Sequence, residues 1–121
     1  MAKTKPRPED LLPLTPRVLL ILWGLSDGPR HPYRLLKTTE ELGRGRVAIG
    51  PASLYEAIHS LHKKGLVEDS PPPDDADRPD SRRRYFRLTD LGRAALEAEA
   101  GRLTVLAEDL RRAKIAPARR S

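Results

Sequence analysis

The first strong pattern along the chain is a run of apolar residues from position 18 to position 25. Thr15-Pro16 precedes the run and suits the cap and first position of a helix, where the missing N–H of proline costs nothing. The pattern predicts a helix that ends near Ser26. Because apolar residues cover nearly all of its faces, the helix should be buried on every side, and we expect Leu19 and Trp23 to contact a second subunit.

A second helix and a short strand are predicted to follow. His31-Pro32 opens the helix, which we expect to run from Tyr33 to Leu42 and to end at the glycine that follows. Its inner face should comprise Tyr33, Leu35 and Leu36. Residues 46–49 are a candidate for a short strand.

A third helix is predicted to begin at Pro51, again a proline at the first helical position. Leu54, Ile58 and Leu61 recur at spacings of four and three, so they share one face, which we expect to be buried. Gly65 ends this helix, and its opposite face is polar.

A β-hairpin is predicted after the third helix. Residues 66–68 and 83–88 are typical of strands, and residues 70–80 between them hold four prolines and four aspartates, which indicates a loop. Alternation along the second strand predicts Phe86 and Leu88 on the core side and Arg83 and Arg87 on the exposed side.

The last helix should be capped by Thr89 and reach about Lys114. Leucines recur seven positions apart, with one more between the last two, which is typical of a helix that pairs with another helix. Glu99 interrupts this seam. The expected dimer interface comprises Leu19, Trp23, Leu96, Leu103, Leu106 and Leu110.

Together these elements predict a mainly α fold with a small β-hairpin wing, namely a winged helix-turn-helix followed by a C-terminal dimerisation helix. The 121 residues have room for one modest core. We expect a disordered basic arm at residues 1–12 and the winged helix-turn-helix domain at residues 13–88. The dimerisation helix should occupy residues 89–114 and a disordered tail residues 115–121.

Charge and composition narrow the possible functions. A net charge of +6 favours a polyanionic partner, although the same residues would also serve to solvate the surface. Residues 51–80 carry three basic residues against seven acidic ones, and residues 81–121 carry eleven against five, so the second segment should supply most phosphate contacts. The chain has no cysteine, which excludes disulfides and thiol catalysis. No apolar run approaches the roughly 20 residues that cross a bilayer, and we expect a cytoplasmic protein without membrane contact.

The polar face of the third helix carries candidate contacts to nucleic acid. Ser53 and Tyr55 can donate hydrogen bonds to phosphates, while His59, Ser60 and Lys63 can reach base edges. Tyr55 has a second interpretation as a half-buried core aromatic, and a phenol suits both roles.

A run of three arginines, Arg82, Arg83 and Arg84, opens the second strand of the hairpin. Such a run is often only a solvated surface, but here it borders the candidate recognition helix, which favours contact with phosphates. Arg87 extends the same basic strand. The four aspartates of the preceding loop would repel phosphates, so we expect the loop not to contact DNA.

Several of these segments resemble the PadR family of transcriptional regulators. Residues 52–58, Ala-Ser-Leu-Tyr-Glu-Ala-Ile, are similar to the Thr-Leu-Tyr motif of the family's recognition helix, with Ser53 in place of threonine. Residues 83–89, Arg-Arg-Tyr-Phe-Arg-Leu-Thr, resemble its second wing strand and the start of its dimer helix. Pro32-Tyr33 resembles the opening of its second helix. The resemblance extends from Leu14 to about Leu110.

The resemblance implies a sequence-specific DNA-binding transcriptional regulator, and we expect a repressor that acts as a homodimer on a two-fold symmetric site in double-stranded DNA. The alternative is a nonspecific nucleic-acid-binding protein that acts on RNA or on the chromosome. The candidate DNA-binding residues are Tyr33, Ser53, Tyr55, His59, Ser60, Lys63, Arg82, Arg83, Arg84 and Arg87.

An enzyme is not expected, because the sequence shows no nucleophile–base pair, no phosphate-cradling glycine loop and no metal-ligand set. His59 and His62 are three positions apart but lack a third ligand, and the acidic loop lacks the glycine and glutamate of a calcium loop. We therefore expect no metal and no other cofactor. Trp23 could stack on an aromatic effector, although packing is its simpler role, and the sequence leaves open whether a small molecule is sensed.

Overall fold

The computed structural model describes residues 6–73, 83–115 and 117. Its elements are α1 (Pro16–Gly24), α2 (Pro32–Gly43), α3 (Pro51–Lys63), β1 (Val67–Ser70), β2 (Tyr85–Leu88) and α4 (Asp90–Arg112). A 3-10 helix, Pro8–Leu11, precedes α1. The two strands form one antiparallel hairpin, and this order confirms the predicted class: a mainly α fold with a hairpin wing and a long C-terminal helix.

Helix α1 begins as the sequence predicts but is not buried on every side. The Thr15 hydroxyl caps it by accepting a hydrogen bond from the backbone N–H three residues further on, at 3.2 Å. Leu22 is fully buried and Leu19 half-buried, whereas Trp23 keeps 46% of its surface exposed. The helix ends at Gly24, two residues earlier than predicted. It thus buries one face in the core and leaves Trp23 on the surface of the chain.

Helices α2 and α3 pack with α1 around a single apolar core. The predicted buried face of α3 is confirmed for Leu54, Ile58 and Leu61. On α2 the buried residues are Pro32, Leu35 and Thr39. The prediction that Tyr33 faces inward is wrong, since its side chain is 81% exposed. The inner face is taken by residues 32, 35 and 39, at spacings of three and four, and Tyr33 points away from it.

A third segment pairs with the hairpin through its backbone, at Arg30 and not at residues 46–49. The N–H of Arg30 donates to the carbonyl of Phe86 at 3.0 Å, and the N–H of Phe86 donates back at 2.9 Å. Residues 46–49 form turn and irregular backbone, so the strand predicted there is wrong. A strand needs a neighbour for its N–H and C=O groups, and the edge of β2 is occupied by Arg30.

The hairpin buries more of its second strand than simple alternation predicts. Phe86 and Leu88 pack against the core as expected, and the antiparallel register places Asp69 opposite Phe86. Tyr85, on the other face, is also only 5% exposed. The His31 ring meets Tyr85 edge-on, with 5.4 Å between the ring centroids. Strand β2 is therefore covered on both faces where it begins.

Helix α4 is capped by Thr89, as predicted, through a 3.0 Å hydrogen bond from the N–H of Gly92 to the threonine hydroxyl. The same hydroxyl donates to the carbonyl of Gly65 at 2.5 Å, and the N–H of Thr89 donates to the carbonyl of Leu66 at 3.1 Å. A Cβ atom on Gly92 would overlap that Leu66 oxygen. The first turn of α4 therefore lies directly on the connection between α3 and β1.

The expectation that residues 1–12 form a disordered arm is wrong for residues 8–11, because they form the 3-10 helix and Leu11 packs against the core. The N–H of Leu14 donates to Glu99 Oε2 on α4 at 2.8 Å. Apolar contact and this hydrogen bond together hold residues 8–14, which we call the N-terminal latch. Residues 1–5 lie outside the described residues, as does the predicted tail apart from residues 115 and 117.

Candidate nucleic-acid interface

A groove of about 750 Å³ lies where the start of α2, the outer flank of α3 and the start of β2 meet. All three histidines of the chain line it. Its floor is apolar, while its walls carry phenol rings, imidazoles and guanidinium groups. Its lining residues are His31, Pro32, Tyr33, Tyr55, Ile58, His59, His62, Arg83, Arg84 and Phe86. Such a surface offers stacking and hydrogen-bond donors to a polyanion that carries flat bases.

Half of the predicted DNA-binding residues meet in this groove, namely Tyr33, Tyr55, His59, Arg83 and Arg84. Ser60 and Lys63 are exposed on α3 outside the groove, and Ser53 is half-buried at the start of that helix. Arg87 is exposed on the hairpin, also outside the groove. Arg82 lies outside the described residues, as do the four aspartates of the loop. The structure thus brings predicted residues from α2, α3 and the wing together on one surface.

The start of α3 is not capped by a side chain. Gly50 precedes the helix and offers no side chain to cap it, so no side chain occupies the first backbone N–H groups. Tyr55 lies in the next turn with 60% of its surface exposed. Its alternative interpretation as a half-buried core aromatic is therefore wrong, and the phenol stands in the wall of the groove.

His31 links the groove to the cap of α2. Its Nδ1 accepts a hydrogen bond from the N–H of Arg34 at 3.2 Å, which requires an unprotonated Nδ1. Burial lowers the pKa of His31, and the nearby Arg83 and Arg34 guanidinium groups lower it further. The Tyr33 ring lies beside it in nearly parallel orientation, with 6.4 Å between the centroids. The cap hydrogen bond and the lowered pKa thus both favour the neutral form of His31, which lies next to an exposed phenol.

Two wing arginines, Arg84 and Arg87, are engaged by carboxylates of the same hairpin. Arg84 donates through Nε and Nη2 to Asp69 Oδ1, at 3.0 and 2.6 Å, and its guanidinium lies 5.0 Å from the centroid of the Phe86 ring. Arg87 Nε donates to Glu68 Oε2 at 2.8 Å. The predicted exposure of Arg87 is therefore observed, but as one half of an ion pair.

Asp69 is a residue of this surface that the sequence analysis missed. Its Oδ2 lies 3.0 Å from Nε2 of His62 on α3, while its Oδ1 accepts from Arg84 on the wing. These hydrogen bonds, first from Arg84 and then from His62, hold the pKa of Asp69 below its usual value. An aspartate in a polar stretch of sequence does not by itself indicate a role at the interface. The role of Asp69 becomes visible from the register of the hairpin, which brings this residue close to the start of β2.

One face of α4 stays apolar beyond the part that packs on the core. Leu96 packs against the core of its own chain, and Glu99 one turn further is buried. The same face continues as Leu103, Leu106 and Leu110, which are 41%, 45% and 49% exposed. We call these three residues the α4 strip. Of the predicted dimer residues on α4, Leu96 therefore belongs to the core and the other three to this exposed strip.

Two kinds of feature are absent from the described part of the chain. No three or more histidine, aspartate or glutamate side chains there are grouped so that they could hold a metal ion. None of the described helices has the length and apolar character that crossing a bilayer requires.

The sequence of the chain resembles a protein family and a curated protein. The model of the family described as "Transcriptional regulator PadR-like family" matches residues 21–98. An uncharacterized 37.1 kDa protein in transposon TN4556 of Streptomyces fradiae is 39% identical over 82 residues, which are 68% of this chain and 21% of that protein. The chain thus spans about a fifth of the length of this curated relative.

Solved structures share the fold of the chain. A PadR family transcription regulator from Clostridium difficile is 19% identical with a TM-score of 0.64, covering 81% of this chain and 97% of that one. A PadR-like transcriptional regulator from Bacillus cereus is 18% identical with a TM-score of 0.65, covering 83% of this chain and 92% of that one. At these identities the likeness concerns the fold, and it includes the arrangement of helices around the hairpin.

Proposed function

The chain belongs to the PadR-like family of transcriptional regulators, and on that premise we propose that it is a sequence-specific DNA-binding repressor that acts as a homodimer on a two-fold symmetric duplex site. The family comprises regulators of transcription and not enzymes, in agreement with the expectation from the sequence. We also propose that the protein works in the cytoplasm, in contact with the chromosome.

The observation that carries the proposal is the groove between α3 and the wing. A helix-turn-helix protein lays the second helix of its motif in the major groove, and here that helix is α3. Ser60 and Lys63 on its outer face are exposed and chemically suited to base edges. Arg83 lines the groove from the wing side, where a guanidinium can contact the DNA backbone. Base and phosphate contacts therefore come from different elements.

The α4 strip supports the homodimer. Three half-exposed leucines on one face of a 23-residue helix are the kind of surface that paired helices bury. A two-fold dimer presents two copies of α3, so the half-sites should repeat at about one helical turn, roughly 10 base pairs, or at a related spacing set by the wings.

Selection from a pool of randomised duplexes with the full chain tests this function. We expect enrichment of a duplex with two-fold related half-sites, bound at least about a thousandfold more tightly than a scrambled duplex of equal length. Binding to single- and double-stranded RNA is measured in parallel. If no sequence is enriched, and RNA and scrambled DNA bind equally well, the chain is a nonspecific nucleic-acid-binding protein.

Two variants separate the base contacts from the backbone contacts. Arg83→Ala should weaken binding to enriched and scrambled duplex alike, and should lower the salt slope by about one for each phosphate that the side chain neutralises in the wild-type complex. Lys63→Ala should instead relax the preference at particular base pairs by about 1–3 kcal/mol. Lys37→Ala is the control, because this exposed lysine on α2 lies outside the groove, and it should leave both quantities unchanged.

A further inference from the structure

We propose that Asp69 competes with DNA phosphate for Arg84, so that it lowers nonspecific affinity and acts as a specificity-determining residue of the interface. This inference rests on the proposed function. It names a residue that does not itself line the groove but controls two side chains that do, Arg84 and His62.

The first step of the argument is the geometry of the carboxylate. Asp69 Oδ1 accepts from Nε and Nη2 of Arg84 at 3.0 and 2.6 Å, and Oδ2 lies 3.0 Å from Nε2 of His62. A carboxylate only accepts, so Nε2 of His62 carries the proton directed at it. The guanidinium edge that would bind phosphate is therefore occupied by a carboxylate in the free protein. The Asp69 side chain therefore contacts two residues that line the groove, Arg84 on the wing and His62 on α3.

The second step is that this contact can be displaced. The side chains of Arg84 and Asp69 are 65% and 54% exposed, and ion pairs so exposed contribute little to stability and are screened by salt. The Phe86 ring, 5.0 Å below the guanidinium, gives Arg84 a second support that does not depend on Asp69. A phosphate can therefore replace the carboxylate while Arg84 stays near its place.

The third step concerns which phosphates succeed. A phosphate that approaches at random exchanges one anion for another on Arg84 and gains little. When base contacts of α3 already hold the DNA in place, a phosphate lies next to Arg84 without a further loss of entropy. Such a phosphate therefore displaces Asp69 more readily. Specificity is a difference between two affinities, and a competitor that penalises the wrong complex more than the right one increases that difference.

The neighbouring ion pair provides a matched control. Glu68 lies one position before Asp69 on β1, and Arg87 lies three positions after Arg84. These two residues form a similar contact at 2.8 Å, with side chains that are 46% and 48% exposed. Neither residue lines the groove. Glu68→Gln therefore removes the same charge from the same strand and releases an arginine that lies elsewhere.

The experiment compares Asp69→Asn with Glu68→Gln on the enriched and the scrambled duplex at several salt concentrations. We expect Asp69→Asn to raise affinity for the scrambled duplex by about three- to tenfold and to steepen the salt slope by about one per subunit. The gain on the enriched duplex should be smaller, so the ratio of the two affinities falls. Glu68→Gln should leave that ratio unchanged. Equal ratios for the two variants would overturn the proposal.

Arg84→Gln shows whether the effect passes through Arg84. Added to Asp69→Asn, it should abolish the gain on scrambled duplex, and a gain that persists would mean that charge alone is responsible. By itself it should weaken the enriched complex more than the scrambled one, a test that holds even if Asp69→Asn lowers the melting temperature. Equal loss on both duplexes would contradict the proposal.

Failure of the proposed function and failure of this inference give different results. A wild-type chain that does not discriminate between duplexes removes the proposed function and this inference together, whereas discrimination unaffected by Asp69→Asn removes only the inference.

Discussion

Glu99 lies on the core-facing side of α4 with 1% of its surface exposed, at the position where the leucine seam is interrupted. Its carboxylate accepts hydrogen bonds from the side chain of Arg102 and from the N–H of Leu14. A buried carboxylate is tolerated when its oxygens have such partners. The Arg102 hydrogen bond is the main reason that the pKa of Glu99 lies below its usual value, and the Leu14 N–H adds to it against the opposing effect of burial.

Replacing Glu99 should therefore loosen the N-terminal latch. Glu99→Ala leaves the N–H of Leu14 without its acceptor, and we expect the free energy of unfolding to fall by about 1–3 kcal/mol. Because the folded pKa is lowered, the contribution of the wild-type carboxylate is complete above its unfolded value near 4.5 and is lost as pH falls through the folded value.

Denaturant unfolding between pH 6 and pH 3, at one protein concentration, measures both effects. Glu99→Gln should flatten the loss of stability below about pH 4.5, while Glu97→Gln, on the exposed side of the same helix, should not. An unfolding free energy that depends on pH in the same way for wild type and Glu99→Gln would show that this carboxylate does not stabilise the latch.

Single residues are predictable from the sequence where their partners are close along the chain. Thr15 and Thr89 cap helices through N–H groups three residues away, and both caps are confirmed. Glu99 accepts the N–H of Leu14 from 85 positions away and Asp69 accepts from Arg84, 15 positions away, and neither contact was predicted. A contact over such distances depends on the finished fold, which local spacing does not contain.

Gly92 shows how one element is fitted to another. The first turn of α4 lies so close to the backbone of Leu66 that any Cβ at this position overlaps the carbonyl oxygen. That oxygen also accepts the N–H of Thr89, so it cannot move away without losing a hydrogen bond. Gly101, two turns or more along the same helix, has nothing within 4 Å of a built Cβ.

Replacement by alanine should change the free energy of unfolding in opposite directions at these two glycines. Gly101→Ala should stabilise the chain by about 1 kcal/mol, because alanine favours the helix and meets open space. Gly92→Ala should destabilise it by about 1–3 kcal/mol in spite of the same gain in helix propensity, because the added methyl group forces backbone apart. Thermal and denaturant unfolding of both variants provides the comparison, and stabilisation by Gly92→Ala would contradict the packing of α4 described above.

At the scale of elements, helices were easier to predict than strands. The spacing of Leu54, Ile58 and Leu61 repeats within a single helix, so it identified the buried face of α3 correctly. The third segment that pairs with the hairpin is Arg30, and its partner Phe86 lies 56 positions further along the chain. A short strand is defined by the neighbour that pairs with it, and the segment at residues 46–49 has strand-like residues without such a neighbour.

The whole molecule has an apolar face that its own core does not cover. Up to Glu99 this face of α4 packs on the core and the N-terminal latch, and beyond it the α4 strip continues the same face. The groove lined by aromatic and basic side chains is built from α2, α3 and β2. The proposed dimerisation and the proposed DNA binding therefore use different elements and can be disturbed separately.

Leu103→Asp should convert the proposed dimer into a monomer, because it places an unpaired charge in the interface at a cost on the order of 3 kcal/mol or more. Val105→Asp is the control, since Val105 is 60% exposed and lies on the opposite face of α4. Sedimentation equilibrium at micromolar concentration distinguishes the two states. A wild-type chain that sediments as a monomer under these conditions would refute the homodimer.

His31 predicts that DNA affinity rises as pH falls from about 8 to about 6. In the free protein, burial and the Arg83 and Arg34 charges lower the pKa of His31. A DNA phosphate close to this imidazole favours its protonated form, so binding should take up protons in the range where histidine titrates. His31→Gln should therefore reduce the change.

Affinity measured by fluorescence anisotropy at constant salt and varying pH tests this prediction. The number of protons taken up follows from the slope of log affinity against pH. An affinity that stays constant over the whole range would indicate that phosphates do not come close to the His31 imidazole.

The hydrogen bond between Leu14 and Glu99 spans 85 positions and so has a consequence for the order of events during translation. At 5–20 residues per second the ribosome needs roughly 4 to 17 s to add that stretch. Throughout this time the nascent chain has no acceptor for the Leu14 N–H and no α4 surface for Leu11. The N-terminal latch is therefore among the last segments to fold, and it can dock only after the ribosome has added residue 99.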